Sequence, residues 1–179
     1  MWELKNPKPV KLVVGVLAAD HSCLQVAIEA IGKELGEVDL VSDVWPFDKT
    51  DYYREQTGPS ILRQFAGIKE LIDPGRLSEI KLQTNRLEEK LAGTLERPLP
   101  RPVNLDPGII EPSKLILATT KNYSHRIYIG NRIYAEVTLI YHKGTWRPIE
   151  HTYPDYRQEC YFAFFNEVRS KLIQQLGNL

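Results

Sequence analysis

The run Lys11-Leu12-Val13-Val14-Gly15-Val16-Leu17 restricts the fold more than any other stretch of this chain. Its apolar residues do not alternate with polar ones, and most are β-branched. That pattern reads as a strand buried in the middle of a sheet. Residues 1–10 ahead of it, rich in Pro and Lys, read as an extended N-terminal segment. A helix is predicted after it. Ser22 is placed to cap that helix, with Gln25 three residues on as the reciprocal partner. Leu24, Ala27, Ile28, Ile31 and Leu35 then share one face, and Gly36 ends the helix.

Residues 38–47 read as a second strand ending in Trp45-Pro46-Phe47, followed by a polar loop over 48–55. For residues 60–71 a strand is favoured, bracketed by Gly58-Pro59 and Asp73-Pro74-Gly75; a helix is the alternative. Leu77, Ile80, Thr84, Leu87 and Leu91 mark the face of a second helix closed by Gly93. A short strand at Val103-Asn104-Leu105 then completes the order strand, helix, strand, strand, helix, strand. This is a ferredoxin-like β-α-β-β-α-β core.

Residues 94–112 hold five of the twelve prolines. They read as a rigid internal loop of one domain spanning 1–179, since neither flank is complete alone. Pro112 is placed to open a short helix through Leu115, Ile116 and Leu117. Strands at 126–129, 133–141 and 145–149, joined by Gly130-Asn131 and Lys143-Gly144, form a C-terminal antiparallel meander. In the middle strand Ile133, Ala135, Val137, Leu139 and Tyr141 share one face, and Tyr134, Glu136, Thr138 and Ile140 the other. A final amphipathic helix repeats Tyr161, Phe165, Val168, Leu172 and Leu176. Its aromatic stripe covers a sheet or, alternatively, an oligomer interface. The fold class is α+β.

Lys+Arg and Asp+Glu are both 23, so the net charge is zero. A general nucleic-acid binder draws its affinity from neutralising phosphates, which a balanced chain does poorly. Two cysteines without C-x-x-C spacing give neither a disulfide framework nor a structural zinc site, and point to a reducing cytoplasm. No leader-like apolar stretch opens the chain, and no window reaches the length of a membrane span.

Several segments carry a resemblance. They are Pro46-Phe47-Asp48 with Thr50-Asp51-Tyr52-Tyr53, Ile80-Lys81-Leu82-Gln83-Thr84-Asn85, and Val103-Asn104-Leu105-Asp106-Pro107-Gly108. Further along come Lys114-Leu115-Ile116-Leu117-Ala118-Thr119-Thr120-Lys121, His125-Arg126-Ile127-Tyr128-Ile129-Gly130, Ile133-Tyr134-Ala135-Glu136-Val137-Thr138-Leu139 and Thr152-Tyr153-Pro154-Asp155-Tyr156-Arg157. Across nearly its whole length the chain resembles a bacterial family catalogued as domain of unknown function number four-four-one-six. The resemblance implies no activity. The chain departs from the family pattern at Lys49, where a second aromatic is usual, and at Asn122, where an acid is usual. Some relatives carry a GTP-binding label, yet no G-x-x-x-x-G-K-[ST] loop is present here.

Four polar segments are candidates for chemistry. Thr119-Thr120-Lys121-Asn122-Tyr123-Ser124-His125-Arg126 gathers hydroxyls, Lys121, Arg126 and an imidazole. Thr120, Lys121 and Arg126 suit an anion, and His125 a proton transfer; a solvated turn is the plainer reading. Asp106 before Pro107-Gly108 reads as a turn residue or as a base. Asp48 and Asp51, with Tyr52 beside them, cap a short helix or bind a hard cation. Tyr153, Asp155, Tyr156 and Arg157 wall a pocket, or staple the last helix with Asp155 as its cap. Glu136 lies on a solvent face or pairs with a cation. A metal set of Asp106, His125 and Glu136 lacks diagnostic spacing; no metal ligand is assigned, and the cofactor is unknown.

These residues point to a small anionic ligand, phosphate or nucleotide among them, bound or turned over with His125 and Asp106 in catalytic positions. A protein-docking surface anchored by Trp45, Trp146 and Tyr156 is the alternative. Single-stranded RNA binding on sheet-face aromatics ranks last.

Overall fold

The computed structural model describes residues 2–48 and 54–178, and their strands form one antiparallel sheet. β1 (Val10–Ala18) is buried along its whole length. It lies between β4 (Leu62–Ile72) and β5 (Val103–Glu111). β2 (Val38–Val41) and β3 (Trp45–Pro46) both pair with the outer side of β4. Beyond β5 follow β6 (Lys114–Thr119) and β8 (Tyr134–His142), and the short β7 (Ile127–Tyr128) and β9 (Thr145–Pro148) share the outer side of β8. The order is β2-β4-β1-β5-β6-β8-β7.

Helices cover both faces. Leu12, Val14 and Val16 of β1 pack on Leu24, Ala27 and Ile31 of α1 (His21–Leu35). A single turn, α2 (Arg54–Thr57), precedes β4. Ile80, Leu87 and Leu91 of α3 (Leu77–Thr94) join the same core as α1. On the opposite face Val13 and Phe65 meet Phe165, Val168 and Leu172 of α4 (Glu159–Gly177). Each such side chain contributes about 1.5–3 kcal/mol on burial. The unalternating run of β1 is thus explained by cover on two sides. Tyr161, Phe164, Phe165, Val168 and Leu172 of the aromatic stripe of α4 are buried against the sheet. Among the described residues no helix is long and apolar enough to cross a membrane.

Several boundaries differ from the sequence reading. Asp20, not Ser22, caps α1: its Oδ1 accepts from the Cys23 N–H at 2.8 Å. Residues 38–47 form two short strands, because Ser42 turns its hydroxyl onto the Phe65 N–H and interrupts the ladder. The run 114–119 is strand, not helix. Glu111 pairs with Lys114 across a tight turn at Pro112-Ser113, and Leu115 and Leu117 alternate with Ile116. Much of the expected loop over 94–112 is strand too, and Asp106-Pro107-Gly108 sits within β5 rather than in a turn. The open edge of β1 takes up that segment from Val103 to Ile110. In β8 a register shift opposite Leu115 and Ile116 breaks the expected alternation. Glu136, Thr138 and Leu139 are buried, while Val137 and Ile140 are exposed.

Candidate functional site

β5 bonds to its two neighbours over different lengths. It pairs with β1 from Val103 to Ile110, but with β6 only from Gly108 to Glu111. The ladder to β6 stops beside Pro107, which has no N–H to offer. At Gly108 the strands come so close that a Cβ would lie 2.6 Å from the Ile116 carbonyl oxygen. Beyond it they part.

Parting leaves the Leu105 N–H and C=O without a strand partner, and buried backbone groups must be satisfied. α3 supplies both. Glu88 Oε1 accepts from the Leu105 N–H at 2.7 Å, and Lys81 Nζ donates to the Leu105 carbonyl at 2.8 Å. Seven residues apart, Lys81 and Glu88 fall on one helix face two turns from each other. Burial pushes the Glu88 carboxyl up, and Lys81 and Arg101 pull against it. Arg101 donates to Glu88 Oε2 at 2.9 Å.

The gap between β5 and β6 opens a cavity of about 530 Å³. Asn104 and Asp106 line one side of it, and Leu117 to Lys121 the other. Asp106 belongs to the α4 face of β5, yet Lys81 reaches it from the α3 layer, with Nζ 3.6 Å from Oδ1. Such a contact across the sheet requires the strands to be apart. Asn104 Nδ2 donates to Asp106 Oδ2 at 2.7 Å. Arg63 of β4 lies 3.9 Å from the same oxygen and donates to Asp155 Oδ2 at 2.7 Å. Burial works against the Arg63 charge, but Asp155, Tyr156 and Asp106 outweigh it and raise its pKa. The guanidinium also lies over the Phe47, Phe65 and Tyr156 rings.

A second cluster forms the far wall. Glu136 Oε2 is bonded by His125 Nε2 and by Arg126 Nε, the latter at 3.2 Å. Arg126 donates further to the Tyr153 hydroxyl at 2.6 Å and to the Lys121 carbonyl at 3.0 Å. Burial, then Glu136, pushes the Tyr153 phenol up, so it remains protonated. The His125 ring stacks on His151 with centroids 4.3 Å apart. The walls present Arg63, Lys81, Arg101, Lys121 and Arg126 against Asp106, Asp155 and Glu136. Glu88 stands behind Arg101, and the cations remain in excess by one.

Of the residues singled out from sequence, Asp106, Thr120, Lys121, Arg126, Glu136, Tyr153, Asp155 and Tyr156 line this cavity. His125 stands behind Glu136, outside the lining. Arg157 is turned away, bonding the carbonyls of Thr152, Ile149 and Glu150. Asp48 is exposed and does not line the cavity; Asp51 and Tyr52 lie outside the described residues.

Three expectations are corrected here. Glu136 is 4 % exposed rather than on a solvent face, because the shift in β8 turns it toward the cavity. Asp155 does not cap α4, which starts after Gln158; it pairs with Arg63. Trp146 and Tyr156 are buried in the α4 core and offer no docking anchor. Among the described residues Asp106, His125 and Glu136 do not form a metal-holding group.

Sequence reasoning missed Arg63, Lys81, Arg101 and Glu88. Lys81 and Glu88 carried a legible signal: both fall inside the apolar stripe of α3, where an unpaired charge is expensive.

A family model described as Domain of unknown function (DUF4416) matches residues 8–172. Neither the curated proteins nor the solved structures compared with the chain match it.

Proposed function

Since the chain belongs to the DUF4416 family, whose description names no activity, we propose from its own geometry that the cavity between β5 and β6 binds a small anionic molecule. The observation that carries this reading is the convergence of five cationic side chains from β4, α3 and two connecting segments on one hollow. Its volume of about 530 Å³ falls in the range that holds a metabolite-sized ligand. Phosphate compounds, nucleotides among them, are the class that Lys and Arg donors suit best.

Two groups are suited to proton transfer if the bound molecule is turned over. Asp106 has a carboxylate partly open to the cavity. His125 acts through Glu136, whose carboxylate it shares with Arg126. We read the β2-β4-β1-β5 unit with its crossovers α1 and α3 as ferredoxin-like, a reading that the strand order supports. A reducing cytoplasm suits two cysteines that are both free.

The test is a thermal-shift panel of inorganic phosphate, pyrophosphate, sugar phosphates, nucleotides and simple carboxylates. At least one phosphate compound is expected to raise the Tm, and K121A and R126A to abolish that rise. A panel in which no anion shifts the Tm overturns the reading.

A further inference from the structure

The cavity is not a plain basic hole, because its most accessible carboxylate faces inward. The Asp106 side chain is 25 % exposed, against 3 % for Glu136 and 7 % for Asp155. Its Oδ2 accepts from Asn104 at 2.7 Å. Its Oδ1 accepts no hydrogen bond among the described residues; Lys81 Nζ, at 3.6 Å, lies beyond bonding distance. An ionised carboxylate offers about four acceptor positions, so several stay open toward the cavity. A group that only repelled anions would be out of place here. Asp106 instead asks its ligand for a hydrogen-bond donor.

The neighbouring charges decide which donor. Lys81 and Arg63 both stand within 4 Å of this carboxylate. A ligand ammonium there would be a third cation in one small space, whereas a neutral hydroxyl meets no such repulsion. Hydroxyl-to-carboxylate bonds are short and among the stronger kinds. The cations with greater exposure are elsewhere on the lining: Arg101 is 32 % exposed, and Lys121 is exposed.

We propose that the ligand is a phosphate ester of a polyol, such as a sugar phosphate, whose hydroxyls are read by Asp106 and whose phosphate lies against Lys121 and Arg101. This rests on the anion-binding reading above and adds the hydroxyl-bearing part to it.

Calorimetric titration with three probes tests it: ribose 5-phosphate, pentyl phosphate, which has the same carbon count without hydroxyls, and inorganic phosphate. Wild type binds ribose 5-phosphate about tenfold or more tightly than pentyl phosphate, the factor that one charge-assisted hydrogen bond supplies. In D106A and D106N that ratio falls to within about threefold. Removing a negative charge strengthens phosphate attraction equally for both esters, so the ratio isolates the hydroxyl. Pentyl phosphate binding wild type as well as ribose 5-phosphate overturns the hydroxyl assignment and leaves anion binding standing. The wild-type ratio decides this even if both variants unfold. Failure of all three probes to bind overturns the polyol-phosphate assignment, and the anion reading then stands or falls on the nucleotides and carboxylates of the thermal-shift panel.

Discussion

The two ends of β5 solve the same backbone problem in different ways. From Gly108 to Ile110 the strand is paired on both sides, with β1 and with β6, and Ile109 and Ile110 each enter an apolar core. From Asn104 to Asp106 only β1 remains, and charged side chains of α3 stand in for the missing strand. Pairing two strands is inexpensive but closes the sheet. Bonding a strand to Lys81 and Glu88 requires desolvating charge, yet leaves a hollow beside it. The polar end is where the cavity lies, and the apolar end keeps the strands in register beside it.

The largest expected effect separates these ends by the kind of residue removed. Arg63→Met strips the buried Asp155 of its partner and should cost about 4 kcal/mol, as losing one member of a buried ion pair does. At the other end Ile110→Val should cost only about 1 kcal/mol. Urea unfolding of both variants gives the comparison directly. Near-equal losses would mean that the charged network is not what holds the open end.

Gly108→Val comes next, at about 2–3 kcal/mol. Its Cβ would overlap the Ile116 carbonyl oxygen and the Leu117 side chain, each 2.6 Å away, and backbone cannot swing aside as a side-chain tip can. Hydrogen exchange should show the β5–β6 amides losing protection in this variant while the β1–β4 amides keep theirs. Lys81→Met follows, at about 2 kcal/mol, because it leaves the Leu105 carbonyl buried without a donor. If the variant matches wild type in stability, the parted strands do not need α3 to satisfy them.

The paired end is legible in the sequence and the open end is not, for a physical reason. β1 announces itself because burial on two faces demands an unbroken apolar run. β4 is readable from the turn residues on either side of it, and the faces of α1 and α3 from their helical spacing. These are local signals. Asp106-Pro107-Gly108 is also a local signal, and it points to a turn. Pairing with β1 overrides that preference. The clusters of polar residues do place Asp106, Lys121, Arg126 and Tyr153 among the candidates, and these residues line one cavity. Arg63 escapes because its importance depends on a partner 92 residues away in the chain. For Glu88 the charge inside an apolar stripe is legible, but its backbone partner 17 residues on is not. Glu136 reads onto the wrong face because a single shifted residue in β8 inverts the alternation that strand reading relies on.

The smallest effect concerns the charge that α3 holds against Leu105. Burial raises the Glu88 carboxyl above its ordinary 4.5, even with Lys81 and Arg101 opposing. The folded chain therefore holds a proton on Glu88 over a window in which the unfolded chain has released it. Stability from this group is fullest below pH 4.5 and declines as pH rises through the raised value. Glu88→Gln cannot titrate. Its amide meets Arg101 less favourably than a carboxylate does, but that offset is the same at every pH. Urea midpoints measured for both proteins from acid to neutral pH should show wild type losing ground to the glutamine variant across the window, then a level difference. Wild type gaining ground instead would show that Arg101 and Lys81 outweigh burial, and that the open end of β5 is held by ion pairing rather than maintained against a desolvation cost.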